Sequence, residues 1–170
     1  MGSLVAVLGA LRGHAEPPLR HEPLLLSEIA HGIAAALHAR SRYARVRFDI
    51  DPGMRAQADR EQVTALLGHL VKRAASACLG EAEPQVHIGS GSRDGMPVFF
   101  VTDNGPGMDE AERGRLFRPF DRGAPQEDTV DIGIVSSRRI AERHGGELIV
   151  ESAPGRGTSY FFTLAPTEPG

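Results

Sequence analysis

The apolar run 98–101 ends in Asp103-Asn104-Gly105-Pro106-Gly107-Met108, and an acidic amphipathic segment follows at once. A strand that stops on a carboxylate, turns through two glycines and a proline, and hands over to a helix leaves few folds open. Two readings of the turn compete. Asp-Asn-Gly is ordinary turn chemistry, needing no ligand. The same residues also suit a planar, donor-rich base. Asp103 can accept a hydrogen bond from an exocyclic amine, while Gly105 and Gly107 let backbone approach where a Cβ would collide. The second reading requires Asp103 to line an open cavity rather than to be buried against protein.

The surrounding patterns give the turn a frame. Ile29, Ile33 and Leu37 follow Leu25 in an i, i+4 row that predicts an amphipathic helix started by Ser27 or Glu22. Val46, Phe48 and Ile50 alternate with polar residues as a strand does. Asp51-Pro52-Gly53 is a strong turn, so residues 54–58 are expected to return antiparallel. Asp59 is placed to cap a helix that buries Val63, Leu66, Leu67, Leu70 and Val71. Val86 and Ile88 predict a strand that Arg93-Asp94-Gly95 turns into 98–101. A short helix over 109–116, a mobile loop over 121–129 and a helix over 135–144 stopped by Gly145-Gly146 come next. Strands at 148–151 and 160–164 close the chain.

Composition excludes several classes. At 170 residues with 41% hydrophobic and 24% charged side chains, the chain reads as one soluble domain with a real core. A formal charge of −3 offers no general field for nucleic acid. The single cysteine, Cys78, excludes an internal disulfide, sits in an apolar helical pattern and suits a cytoplasmic setting. No apolar run approaches a membrane span, and the run 4–11, broken by Gly9, lacks the basic leader of a signal peptide. Residues 5–11 read as the tail of a preceding helix, and 14–23, with Pro17, Pro18 and Pro23, as a linker. The expected organisation is therefore a helix remnant and linker over 1–23, one domain over 24–165 and a tail over 166–170.

Further segments then join the Asp103 turn in a fixed order: Leu116-Phe117-Arg118-Pro119-Phe120, Asp131-Ile132-Gly133-Ile134, His144-Gly145-Gly146, and the stretch from Glu147 through Gly155-Arg156-Gly157-Thr158 to Phe161. In this order and spacing the chain resembles the ATP-binding catalytic domain of sensor histidine kinases. That superfamily also holds gyrase, a heat-shock chaperone and the mismatch-repair ATPases. The resemblance covers roughly residues 24–164. It implies an α/β fold, a two-layer sandwich of the histidine-kinase ATP-binding (Bergerat) type, with a mixed sheet backed by about three helices.

The resemblance also implies a site. Asp103 would read adenine, Gly105, Gly107, Met108 and Gly133 would line the nucleotide, and Phe117 with Phe120 would begin the lid. Arg118 and Arg122 would neutralise phosphate. Two motifs depart from the pattern. Aligning 66–74 with the family's asparagine-bearing segment puts His69 at a position for a polarising group or base. It puts Arg73 where the family has an asparagine that binds magnesium. A guanidinium has donors and no acceptor, so Arg73 cannot ligate a metal, and no confident metal ligand remains. Ser76 stands where the family has a lysine. Thr129 and Asp131 replace glycines of the second glycine motif, and a carboxylate there repels phosphate.

Three accounts of Arg73 stay open: a solvated surface arginine in a domain that has lost nucleotide, a direct phosphate partner in place of the metal, or a partner of Asp131 locking the site. Two functions follow. One is the catalytic half of a sensor kinase, presenting ATP to a histidine on a helical dimerisation domain or another protein. The other is a pseudokinase scaffold that docks a helical partner or response regulator without turnover. An anti-sigma-factor kinase fits less well, because of the Phe117 segment and the stretch after Gly146. None of His14, His21 or His31 suits a phospho-acceptor on a helical hairpin. A lone domain without that hairpin is expected to be a monomer.

Overall fold

A computed structural model describes residues 16–117 and 132–165. The expected helix tail over 5–11, the loop over 121–129 and the tail over 166–170 lie outside the described residues. So do Arg118, Phe120, Arg122, Thr129 and Asp131.

The described chain runs β1 (His21–Leu25), α1 (Leu26–His38), β2 (Arg47–Ile50), β3 (Arg55–Asp59), α2 (Arg60–Ala77), β4 (Gln85–Arg93), β5 (Met96–Asp103), α3 (Glu110–Arg115), α4 (Ile132–Arg143), β6 (Leu148–Ser152) and β7 (Thr158–Phe162). Five strands form one sheet in the order β2-β4-β5-β7-β6, with β2 and β4 parallel and every other pair antiparallel. Buried Val86, Ile88, Val101, Tyr160 and Phe162 alternate along their strands with half-exposed His87, Phe100, Ser159 and Phe161. One sheet face therefore meets helices and the other stays open, which is the two-layer α/β sandwich. Among the described residues no helix is long and apolar enough to cross a membrane.

Helix α2 is the central support. Val63, Leu66, Leu67, Leu70, Val71 and Ala74 recur at helical spacing and are buried to 2% exposure or less. Each large one contributes about 1.5–3 kcal/mol by leaving water. The β4–β5 hairpin turns on Asp94 and Gly95, both at positive φ (52° and 79°), with Arg93 paired to Met96. Two central residues at positive φ make the turn whose twist matches the strands it joins.

Three local expectations are corrected. The proline-bearing stretch is not all linker, because His21–Leu25 pairs antiparallel with β3 as a separate two-stranded ribbon. Pro23 is tolerated there, since an edge strand can spare one ladder donor. Nor does β3 fold back on β2. The turn at Asp51-Pro52-Gly53 is pulled out of the sheet because the Asp51 carbonyl accepts from Ser27 Oγ, which itself accepts from Met54 N–H. Ser27 is thereby spent on that bracket, and α1 starts after Leu25 with no side-chain cap.

The cap of α2 is as expected and does more than cap. Asp59 Oδ1 accepts from Gln62 N–H at 3.1 Å and Oδ2 from Arg20 N–H at 2.9 Å. Its own N–H donates to Nε2 of buried His144 at 3.1 Å, while Nδ1 of that ring donates to the Ile140 carbonyl. One aspartate thus joins β1, α2 and α4. The Arg20 N–H, opposed by burial and helped by Gln62 N–H, holds its carboxyl below the ordinary 3.8. A lowered acid stabilises the fold above its unfolded value and loses that contribution as pH falls through the folded one. Asp59→Ala is expected to cost about 2 kcal/mol near neutrality. Urea denaturation at about pH 7 and about pH 3 should show the gap to wild type closing in acid; an unchanged gap would show that the cap works without its charge.

Candidate functional site

Asp103 is the last residue of β5 and only 3% exposed. Oδ1 accepts from Gly105 N–H at 2.8 Å, which is the turn reading realised. Oδ2 is buried and has no hydrogen-bond partner among the described residues. Burial pushes the carboxyl above the ordinary carboxylate range, against the pull of the Gly105 and Thr158 N–H groups and of the Arg73 guanidinium. A turn needs one oxygen. The Thr158 N–H draws on the carboxyl without reaching Oδ2 in hydrogen-bond geometry, so the second oxygen keeps room for a donor, and that is the feature a base amine would satisfy. Asp103 is thus buried among its described neighbours, and the segment 118–131 that the resemblance sets beside it lies outside the described residues. Among the described residues a groove of about 660 Å³ lies between Leu24, Arg55, Pro97, Phe99 and Leu164. Pro97 is six residues before Asp103 on the same strand, about 20 Å away at about 3.3 Å per residue.

The glycines serve a different contact from the one expected. A Cβ on Gly105 would sit 2.7 Å from the Ala77 carbonyl oxygen, and one on Gly107, at φ +74°, would overlap the Ala153 carbonyl oxygen. Gly157, at φ +69°, would overlap the Asp103 carbonyl oxygen in the same way. Gly107 and Gly157 let two loops, 103–108 and 153–158, lie backbone to backbone, while Gly105 lets the first of them approach the end of α2. Gly155 N–H donates to the Pro106 carbonyl at 2.7 Å. Met108 N–H donates to Ser152 Oγ at 2.8 Å, and that hydroxyl donates on to the Gly157 carbonyl. Ser152 and buried Thr158, opposite Asp103 in the β5–β7 register, were missed from the sequence. The Gly-x-Gly-Thr spacing just before a strand was the available signal.

Arg73 is half-buried, which removes the solvated-surface account of it. Its Nε donates to Tyr160 Oη at 2.9 Å, and Nη2 lies 4.0 Å from Met108 Sδ. His69, one turn earlier, stays exposed, with no hydrogen bond or ion pair among the described residues. Ser76 hydrogen-bonds the hydroxyl of buried Tyr43 at 3.0 Å, a structural tie away from the site. The proposed Arg73–Asp131 pair lies outside the described residues.

Gly133 falls inside the first turn of α4 rather than before it, and its carbonyl accepts from Ser137 Oγ. Phe117 packs partly on the core with the Arg138 guanidinium 5.1 Å from its ring centre. Met108 is likewise partly buried on the core. Cys78 is buried, and burial followed by the Asp103 charge pushes its thiol up to about 11, so it is packing rather than a nucleophile. No cluster of metal-ligating side chains occurs among the described residues.

An α/β sandwich with a buried acidic residue at a strand end, beside two zipped glycine loops, defines a nucleotide-binding ATPase class. Residues 58–168 match the family described as histidine kinase-, DNA gyrase B-, and HSP90-like ATPase, and the chain belongs to it. It is 31% identical over 138 residues to the methanogenesis regulatory histidine kinase FilI of Methanothrix harundinacea, covering 81% of this chain and 16% of that protein. It is 29% identical over 145 residues to the C4-dicarboxylate transport sensor protein DctB of Rhizobium meliloti, covering 84% of this chain and 23% of that protein. The chain thus spans less than a quarter of either relative. Among solved structures, full-length ShkA in complex with AMPPNP superposes with a TM-score of 0.70 at 21% identity, over 93% of this chain and 34% of that one. The catalytic domain of histidine kinase ThkA, free of nucleotide, gives 0.70 at 22% identity, over 87% and 97%. These likenesses establish the histidine-kinase ATP-binding fold.

Proposed function

We propose that this chain is the nucleotide-binding catalytic domain of a sensor histidine kinase that holds ATP through Asp103 and does so without magnesium. The terminal phosphoryl group is what bound ATP would supply, for transfer to a histidine on another domain or protein. The observation that carries the reading is the unpartnered Oδ2 of Asp103, a buried acceptor that a 6-amino group satisfies. Membership of the family supports it, and the ATP analogue held by the like-folded ShkA agrees with it.

The metal does not fit. The family's ligand position holds Arg73, which offers only donors, and Nε is already given to Tyr160. Arginine meets phosphate oxygens directly, so charge neutralisation passes from a cation in solution to the chain itself. The rest of the work is positioning. Gly133 brings the amides of the first turn of α4 as donors for an anion. His69, exposed one turn before Arg73, is given no catalytic part in this scheme. The scaffold reading draws on a separate fact, the 3% exposure of Asp103.

Titration calorimetry with a non-hydrolysable ATP analogue separates the readings. Equal affinity with magnesium and with chelator is the expected result. Tightening by magnesium of more than about tenfold would mean a metal ligand exists that the alignment of 66–74 missed. Heat in neither condition would assign the chain to scaffolding.

A further inference from the structure

We propose that Tyr160 is a positioning residue, its hydroxyl fixing the Arg73 guanidinium as the group that receives the polyphosphate. The proposal rests on the nucleotide-binding reading above and deepens it. Tyr160 sits mid-way along β7, is 1% exposed, and follows Thr158 by two residues. Period-two alternation puts its side chain on the sheet face that carries Asp103 and Thr158, beneath α2. A phenyl ring would fill that volume equally well. The added hydroxyl is buried, so it needs a partner, and Arg73 Nε–H supplies one at 2.9 Å.

The position of that bond on the guanidinium matters. Nε lies on the stem side of a rigid plane, so anchoring it sets the plane and sends both amino groups to the far edge. There Nη2 lies 4.0 Å from Met108 Sδ, at the end of the loop that begins with Asp103. A thioether is a weak acceptor, and a phosphate oxygen replaces it with a much stronger charge-assisted bond. Without the hydroxyl the charge remains, but the Nε–H loses the bond that sets the plane of the fork.

The test measures adenosine and a non-hydrolysable ATP analogue, in chelator, against wild type, Tyr160→Phe, Arg73→Lys and the double variant. Tyr160→Phe should lower affinity for the ATP analogue about tenfold and leave adenosine unchanged within about twofold. Arg73→Lys keeps the charge and loses the Nε–H, so it should do the same, and the double variant should be no worse than either alone. A packing role would weaken adenosine and ATP equally, and that result overturns the proposal, as does an ATP affinity that Tyr160→Phe leaves intact. Binding of neither ligand to wild type would instead sink the nucleotide reading, and the proposal with it. Should Tyr160→Phe fail to fold, the Arg73 Nε–H proton resonance of the wild type carries the test: slow solvent exchange in the ligand-free domain supports the tie, and exchange as fast as that of an exposed arginine overturns it.

Discussion

Asp103→Asn is expected to weaken nucleotide binding about 100-fold while making the ligand-free domain more stable. The two effects have one cause. Oδ2 is buried without a partner, and burial outweighs the Gly105, Thr158 and Arg73 contributions, so the folded carboxyl holds its proton above the ordinary 3.8. A raised acid means that the folded state binds more protons than the unfolded one over that window. Stability therefore falls as pH rises from the unfolded value through the folded one, and the deficit persists at neutrality. A neutral amide of the same shape removes the deficit, a gain of about 1 kcal/mol, and keeps an oxygen for Gly105 N–H. For binding the change is hostile, because an amide NH2 then faces the 6-amino group of the base. Donor against donor costs roughly 3 kcal/mol, about 100-fold in affinity. Calorimetry and thermal melts of the same preparation read both. A lower melting temperature would contradict the electrostatic argument; retained ATP affinity would contradict the adenine assignment.

The second large effect separates two glycines that look alike in sequence. Gly107 and Gly155 both have positive φ, +74° and +77°. A Cβ on Gly155 meets open space, whereas one on Gly107 overlaps the Ala153 carbonyl oxygen. Gly155→Ala should thus cost only the backbone strain, about 1 kcal/mol. Gly107→Ala adds the separation of two backbone segments, taking the loss to about 3 kcal/mol or more. It also shifts the loop that carries Met108. Urea denaturation of the two variants gives the ratio directly. Equal losses would show that loops 103–108 and 153–158 do not pack as tightly as described.

Much of the fold was legible. The apolar rows of α1 and α2, the Asp59 cap and the Asp-Gly hairpin are statements about residues within a turn or two of one another, which local chemistry governs. The misread parts all involve a partner distant in sequence. Nothing in Asp51-Pro52-Gly53 announces that Ser27 will draw the turn away from the sheet. Pro23 gives no sign that β3 will accept its strand. In the site, Asp103 and its turn were readable, while Ser152, Thr158 and Tyr160 were not, because their roles depend on β7 lying beside β5.

Residue order by itself determined the family and the position of the acidic strand end, since each depends on side-chain chemistry at a known spacing. Tertiary structure alone decided what those residues face. It gave the glycines to loop packing, turned Arg73 inward onto Tyr160 and left one oxygen of Asp103 without a donor. The physical reason is that burial and orientation are properties of two segments meeting, and neither segment encodes the meeting alone.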